Sequence, residues 1–141
     1  MNQTSSEVTV LTGLICHWYG EEQSERIAAV SRAIPALEFL AMEARQQQAV
    51  IPDCPLCEAW LFGVSPVSDL ITSCGAALPD YLRAHLERLW AACCAIRVLE
   101  LPCFDRGIFQ HEAWQPAREA ASQTLMAMQS EAIKPLLADL S

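Results

Sequence analysis

Hydrophobic residues recur at helical spacing along most of this chain, and the clearest stripe lies in its second half. Steps of four and three residues connect Leu82, Leu86, Leu89, Cys93 and Ile96. Such spacing places side chains on one face of an α-helix, so we predict a helix from Pro79 to about Glu100. Residues 91–99 are apolar on nearly every side, which is typical of a buried helix. We therefore expect the other helices to pack around this one.

The first third of the chain also has helical spacing. We predict a helix from Ser5 to about Tyr19, although the β-branched residues within positions 8–10 would also suit a strand. A second helical region spans residues 22–48 and contains Pro35, which lacks the N–H group that a helix interior needs. This region is therefore either one kinked helix or two helices, the second with Pro35 in its first turn.

Proline and glycine divide the rest of the chain into shorter segments. We predict, in order, a loop over 49–53, a short helix ending at Gly63, a helix from Ser65 to Gly75, a loop over 103–110, a helix from Glu112 to Ile133 and a terminal turn from Pro135. The expected fold is all-α, an irregular bundle of five to seven helices around the central helix at about 79–100. With 141 residues, the chain has the size of one domain, residues 1–141.

Composition adds an expectation about partners. Hydrophobic residues make up 52 % of the chain and the mean hydropathy is +0.20, more apolar than a typical small domain. A monomer of this size would have difficulty burying so much apolar surface, so we expect a homodimer or a stable protein partner. The formal net charge of −8 argues against nucleic acid and against an anionic membrane surface as partners.

The expected compartment is a bacterial cytoplasm. The polar first residues lack a signal-peptide pattern, and no uncharged apolar run is long enough to span a bilayer. Seven cysteines would stay reduced there. Lys134 is the only lysine beside eight arginines, a bias that suggests a GC-rich bacterial genome.

One short motif has intrinsic chemical content, the pair Cys54 and Cys57 separated by Pro-Leu. Two thiolates at this spacing can bind one zinc ion, and a tetrahedral site then needs two more ligands. Cys103 and His111 are the expected ones, with Cys74 as a further candidate, although no second C-x-x-C completes a known spacing. Zinc is the alternative to our expectation that the protein has no cofactor.

The same two cysteines could instead form a redox dithiol. A thiol near a helix N-terminus has a lowered pKa, and a proline between the cysteines is common in such motifs. The tetrapeptide Cys54–Cys57 resembles the active-site tetrapeptide of glutaredoxins, but the alternating strands and helices of that fold are missing. In the simplest interpretation, both thiols pack beneath a loop.

Patterns of catalytic residues are largely missing from the sequence. There is no G-x-S-x-G nucleophile motif, no H-E-x-x-H zinc motif and no glycine-rich phosphate loop. These absences favour a role other than catalysis.

The segment 101–109 is the strongest candidate for a binding surface. It contains Phe104, Arg106, Ile108 and Phe109, where loops are usually polar. Aromatic residues and arginine are enriched where proteins contact each other. The alternative is that these side chains fold back and cover the core.

Two other places could contribute to binding. Arg97 lies in an apolar helical stretch and must find a carboxylate such as Glu100, reach water or contact an acidic partner. Leu61, Phe62 and Val64 form a second, weaker apolar patch. We therefore predict a regulator, inhibitor, adaptor or chaperone-like protein that binds another protein; the alternative is a metal-binding or thiol-redox protein.

Overall fold

The computed structural model describes residues 3–51, 55–102 and 105–140, and every regular element within these ranges is helical. The all-α prediction is confirmed. The helices are α1 (Gln3–Gly20), α2 (Ser24–Ala41), α3 (Ala44–Val50), α4 (Pro55–Ala59), α5 (Ser65–Cys74), α6 (Asp80–Val98), α7 (Trp114–Met128) and α8 (Ser130–Leu140). A π-helical turn (Trp60–Val64) joins α4 to α5, and 3-10 turns occupy Gly75–Ala77 and Arg106–Gln110. None of the helices in the described ranges has both the length and the apolar character needed to cross a membrane.

The centre of the bundle is α2 rather than α6. Helix α2 contacts α1, α5, α7, α8 and the π turn, whereas α6 packs mainly against α7 and also against α5. The predicted stripe of α6 is its buried face, as the spacing indicated. Its second half nevertheless buries one side only, since Val98 is 74 % exposed, so the expectation of a central α6 is wrong. The buried residues of α2 are Ala29, Val30, Ala33, Ile34, Ala36, Leu37, Phe39 and Leu40.

Helix α2 continues through its proline without a break. Pro35 lies on the exposed side, where its ring does not disturb the packing against other helices. Because proline has no N–H, the Ser31 carbonyl does not receive the hydrogen bond that residue 35 would otherwise donate. The helix ends only at Ala41, where Met42 adopts an extended conformation (φ −67°, ψ 156°).

Residues 55–74 also form one uninterrupted helical run. The predicted helix from Ser65 is confirmed as α5, but the predicted break at Gly63 is wrong, because the π turn joins α4 to α5 and Ser65 has helical dihedral angles (φ −56°, ψ −42°). Gly63 instead permits a close approach between helices. A Cβ atom there would lie 2.9 Å from Cδ2 of Phe39 and 3.1 Å from Cδ2 of Leu40, both on α2.

The end of the chain divides differently from the prediction. The helix that we expected to reach Ile133 stops at Met128, because Gln129 adopts the left-handed conformation (φ 55°, ψ 50°). The next helix, α8, passes through Pro135, so the predicted terminal turn is wrong there. Lys134 of α8 forms an ion pair with Glu38 of α2 at 2.5 Å, which ties the last helix to the centre of the bundle.

A polar cluster connects α2, α3 and α7. The buried side chain of Gln47 donates from Nε2 to the carbonyls of Phe39 (3.1 Å) and Leu40 (3.4 Å), near the end of α2. Arg118 of α7 donates from Nε to the carbonyl of Met42 and from Nη2 to Oε1 of Gln47, both at 3.0 Å. Partial burial lowers the pKa of Arg118, against the opposing effect of a nearby glutamate. The cluster satisfies carbonyls that a helix end leaves unpaired.

Candidate functional site

The predicted binding segment folds back onto the core. Ile108 and Phe109 are 3 % and 0 % exposed, so our expectation that they contact a partner is corrected. The Phe109 ring centre lies 6.1 Å from that of Phe39 and 5.1 Å from that of Trp114. The backbone curls inward as a 3-10 turn, which begins where the Asp105 side chain accepts a hydrogen bond from the residue 107 N–H at 2.8 Å.

Two members of the predicted binding set fall elsewhere. Phe104 and the side chain of Arg106 lie outside the described residues, so their contribution to a surface stays a prediction. The backbone of residue 106 begins the 3-10 turn, which packs against α3 and α4. The predicted segment is therefore a neighbour of the helices that lead to the π turn.

Arg97 lies beside the π turn. Its guanidinium carbon is 5.4 Å from the centre of the Trp60 ring, a cation–π contact, and Trp60 in turn lies 6.3 Å from Trp90. Within the described part of the chain Arg97 makes no ion pair, so the expected pairing with Glu100 is replaced by this stacking. Its charge stays at the surface, where a partner could reach it.

We define the π-turn surface as Val50, Trp60, Leu61, Phe62 and Arg97. Leu61 is 71 % exposed and Phe62 is 47 % exposed, so two consecutive large apolar side chains are in contact with water. They border a cleft of about 390 Å³ whose opposite wall is the end of α3. Apolar atoms dominate this cleft, and among the described residues that line it Glu58 is the charged one.

The core holds Phe62 in place from behind. Its ring packs edge-on against buried Phe39, with the centres 5.5 Å apart and the planes at 78°. An aromatic ring that is already fixed loses little conformational freedom when a partner covers it. Phe62 therefore combines an exposed edge with a rigid support, as expected of an anchor for binding.

The sequence contained one signal for this surface that our prediction underused. Residues 60–62 are consecutive and apolar, and successive positions of a helix differ by about 100°. Three such residues cover more than half of the circumference, so a helix buried on one face must expose at least one of them. The sequence could not indicate that Val50 and Arg97, which are distant along the chain, would lie beside them.

The structure describes only some of the residues of the predicted zinc or dithiol site. Cys57 is exposed on α4, and α4 contacts the 3-10 turn that His111 follows. His111 is also exposed, and its Nδ1 accepts the N–H of residue 113 at 3.0 Å. Cys54 and Cys103 lie outside the described residues, so both hypotheses stay predictions. Among the residues that are described, no group of three or more His, Cys, Asp or Glu side chains could hold a metal ion.

Two buried thiols are poorly suited to act as nucleophiles. Burial raises the pKa of Cys74 to about 11, although Arg26 opposes the shift, and burial together with Cys94 raises the pKa of Cys93 to about 12. The nucleophile is the thiolate, which these two groups scarcely form near neutral pH. Both residues act as small apolar core side chains.

Comparisons with known proteins add no functional information to this geometry. The chain matches no protein-family model, no curated protein and no solved structure. A function can therefore be inferred only from the residues of the chain itself.

Proposed function

We propose that this protein acts by binding another protein through the π-turn surface, as a regulator, inhibitor, adaptor or chaperone-like module. The observation that carries the proposal is the exposure of Leu61 and Phe62 together, beside the buried ring of Phe39. A π-helical turn supports it, because such turns are rare and occur frequently at functional sites.

The energetics of this surface favour a macromolecular partner. Complete burial of a Leu or Phe side chain is worth about 1.5–3 kcal/mol, so covering the exposed parts of Leu61 and Phe62 would contribute about 2–3.5 kcal/mol to binding. Trp60 and Arg97 are of the residue types that dominate binding energy in protein interfaces. Their stacking holds the exposed guanidinium beside Trp60, where it can select an acidic group on the partner.

Charge and thiol state support the remaining parts of the proposal. The net charge of −8 is unfavourable for nucleic-acid or anionic-membrane partners. Cys16, Cys74, Cys93 and Cys94 form no disulfide, which suits a reducing cytoplasm. We therefore include a cytoplasmic location and a protein partner in the same hypothesis, with a second copy of the chain as the alternative occupant of the surface.

Site-specific photo-cross-linking in cells of the native host tests this proposal. A photoreactive amino acid would replace Leu61 in one variant and Met126 of α7 in the other. Their side chains are equally accessible, at 71 % and 72 % exposure, so Met126 is a matched control. We expect a discrete adduct from position 61 and none from position 126, and a mass equal to twice that of the chain would identify a homodimer.

A second substitution tests whether the adduct at position 61 depends on Phe62. Phe62→Ser, introduced beside the photoreactive group at position 61, should abolish the adduct while circular dichroism shows an unchanged helical content. Equal adducts from positions 61 and 126, or an adduct that persists with Phe62→Ser, would contradict the proposal.

A further inference from the structure

A long groove lies on the side of the molecule formed by α2 and α8. One cavity of about 810 Å³ lies between the start of α2 and the end of α8, and a second of about 330 Å³ lies further along both helices. Both are lined by Ser31 and Leu137, so they are adjacent, and we call them together the α2–α8 groove. None of the residues of the π-turn surface lines it.

The groove has the length of a short helix. On α2 its wall extends from Ser24 to Glu38, which at 1.5 Å per residue corresponds to about 21 Å. The lining positions Ser24, Ile27, Ala28 and Ser31 follow helical spacing, so a single face of α2 is left uncovered along this length. A helix of about 14 residues would fill the same distance.

The wall is apolar in the manner of a helix-binding groove. Ile27, Ala28 and Ile34 face it from α2, and Leu137 and Leu140 face it from α8. Amphipathic helices dock into such grooves through side chains spaced three and four residues apart. A small molecule would need enclosure to bury most of its surface, but several residues along the rim, including Tyr19, are exposed.

Charged groups along the groove would set the orientation of a bound helix. Glu22 lies at one end, and Arg32 lies about ten residues further along the chain. Arg32 makes no hydrogen bond or ion pair with the described residues, whereas Lys134 at the far end is neutralised by Glu38 and Glu131. A complementary helix would place a basic residue opposite Glu22 and an acidic one opposite Arg32.

We propose that the α2–α8 groove binds an amphipathic helix of a second protein, oriented by an acidic residue at Arg32 and a basic residue at Glu22. The groove is separate from the π-turn surface, so this inference stands whether or not the proposed function is correct. Where both hold, the protein joins two partners.

Selection from a phage-displayed library of about 16-residue peptides tests the groove directly. The purified chain is the target, and Ala28→Phe, which fills the groove with a ring, is the counter-target. We expect enriched peptides with apolar residues at helical spacing and an acidic residue near the centre. Fluorescence anisotropy should show binding that weakens about tenfold in Ala28→Phe, a loss of about 1.4 kcal/mol.

Charge reversal provides the second measurement, on a variant that leaves the core intact. Arg32→Glu should weaken the selected peptides about fivefold, and changing the acidic residue of the peptide to lysine should restore binding. Arg45→Glu, on exposed α3, is the matched control and should have no effect. Leu61→Ser should leave peptide binding unchanged, which separates this test from that of the π-turn surface.

Four outcomes would overturn the proposal. These are the absence of enriched peptides, enriched peptides without helical spacing, equal binding to Arg32→Glu and Arg45→Glu, and self-association of the chain that Arg32→Glu abolishes. Displacement of the peptide by decanoate at concentrations below its micelle threshold would instead assign the groove to a fatty-acid-like ligand.

Discussion

Two aromatic segments pack edge-on against the same buried ring, Phe39, and they differ in exposure. Phe109 of the 3-10 turn is completely buried, whereas Phe62 of the π turn keeps 47 % of its surface exposed. The first segment completes the core, and the second extends an apolar surface away from it. Similar residue types therefore have different roles according to what covers their outer side.

Backbone contacts explain the difference. The 3-10 turn is held inward because Arg118 donates a hydrogen bond to the carbonyl of Phe109, and Trp114 packs on the ring of that residue. Gly63 lets the backbone of the π turn lie close against α2, while the two preceding side chains, Leu61 and Phe62, stay exposed. The polar cluster at the end of α2 thus keeps Phe109 packed on one side of the Phe39 ring. The ring on the other side, that of Phe62, is exposed.

The largest expected effect comes from truncating the buried member of the pair. Phe109→Ala removes a fully buried ring and should lower the free energy of unfolding by about 3–5 kcal/mol. Phe62→Ala is the matched variant on the same Phe39 ring and should cost about 1 kcal/mol, since half of its surface is already in water. Urea denaturation followed by circular dichroism measures both. Equal losses would show that the two sides of Phe39 are equivalent.

The next effect concerns the polar cluster that holds the 3-10 turn. Arg118→Met keeps the apolar stem but removes the hydrogen bonds to four carbonyl or amide oxygens, so we expect a loss of about 2–3 kcal/mol. Arg45→Met is the control and should change stability by less than about 0.5 kcal/mol. Hydrogen exchange should accelerate at residues 106–110 in the first variant; unchanged protection there would refute the role of Arg118.

A smaller effect is expected where the π turn approaches α2. Gly63→Ala introduces a Cβ atom 2.9 Å from the Phe39 ring, so the ring or the turn must shift, at a cost of about 1–2 kcal/mol. Gly13→Ala is the control, because a Cβ atom there meets nothing within 4 Å. That control should be neutral or slightly stabilising. Thermal unfolding compares the two, and equal melting temperatures would mean that the close approach has no energetic weight.

The smallest effect on stability should accompany the largest effect on binding. Leu61→Ser changes a side chain that is mostly in water, so the free energy of unfolding should change by less than about 0.5 kcal/mol. It should nevertheless remove the partner that cross-links at the π-turn surface through a photoreactive group at position 62. Met126→Ser is the matched control for both measurements. A marked loss of stability in Leu61→Ser would indicate that this side chain belongs to the core.

Local spacing predicted the helices well but could not predict which surfaces they share. The buried face of α6 follows directly from the positions of its leucines, and α1 formed despite its β-branched residues. Phe109 is buried and Phe62 is exposed because of contacts between distant parts of the chain, such as that of Arg118 with the 3-10 turn. The same limitation placed α6 rather than α2 at the centre, because apolar composition does not indicate how many neighbours a helix has.

Conformations of single residues account for the other differences. Gln129 adopts a left-handed conformation that is more typical of glycine or asparagine, so the sequence held no signal for the end of α7. Ser65 followed by proline usually starts a helix, yet here the helix arrives already formed from the π turn. For the candidate site, the apolar run at 60–62 was visible in the sequence, but its neighbours Val50 and Arg97 were not.

The π turn also makes the direction of α4 sensitive to chain length. A π turn contains about one residue more than the α-helical turn that would span the same distance. A one-residue deletion between Trp60 and Val64 would let regular α-helix replace it and would rotate every preceding residue of the run by about 100° around the helix axis. Cys57 would then face a different side of the molecule, while α5 kept its position. A single codon lost or gained at this point could thus redirect the segment without altering the rest of the bundle.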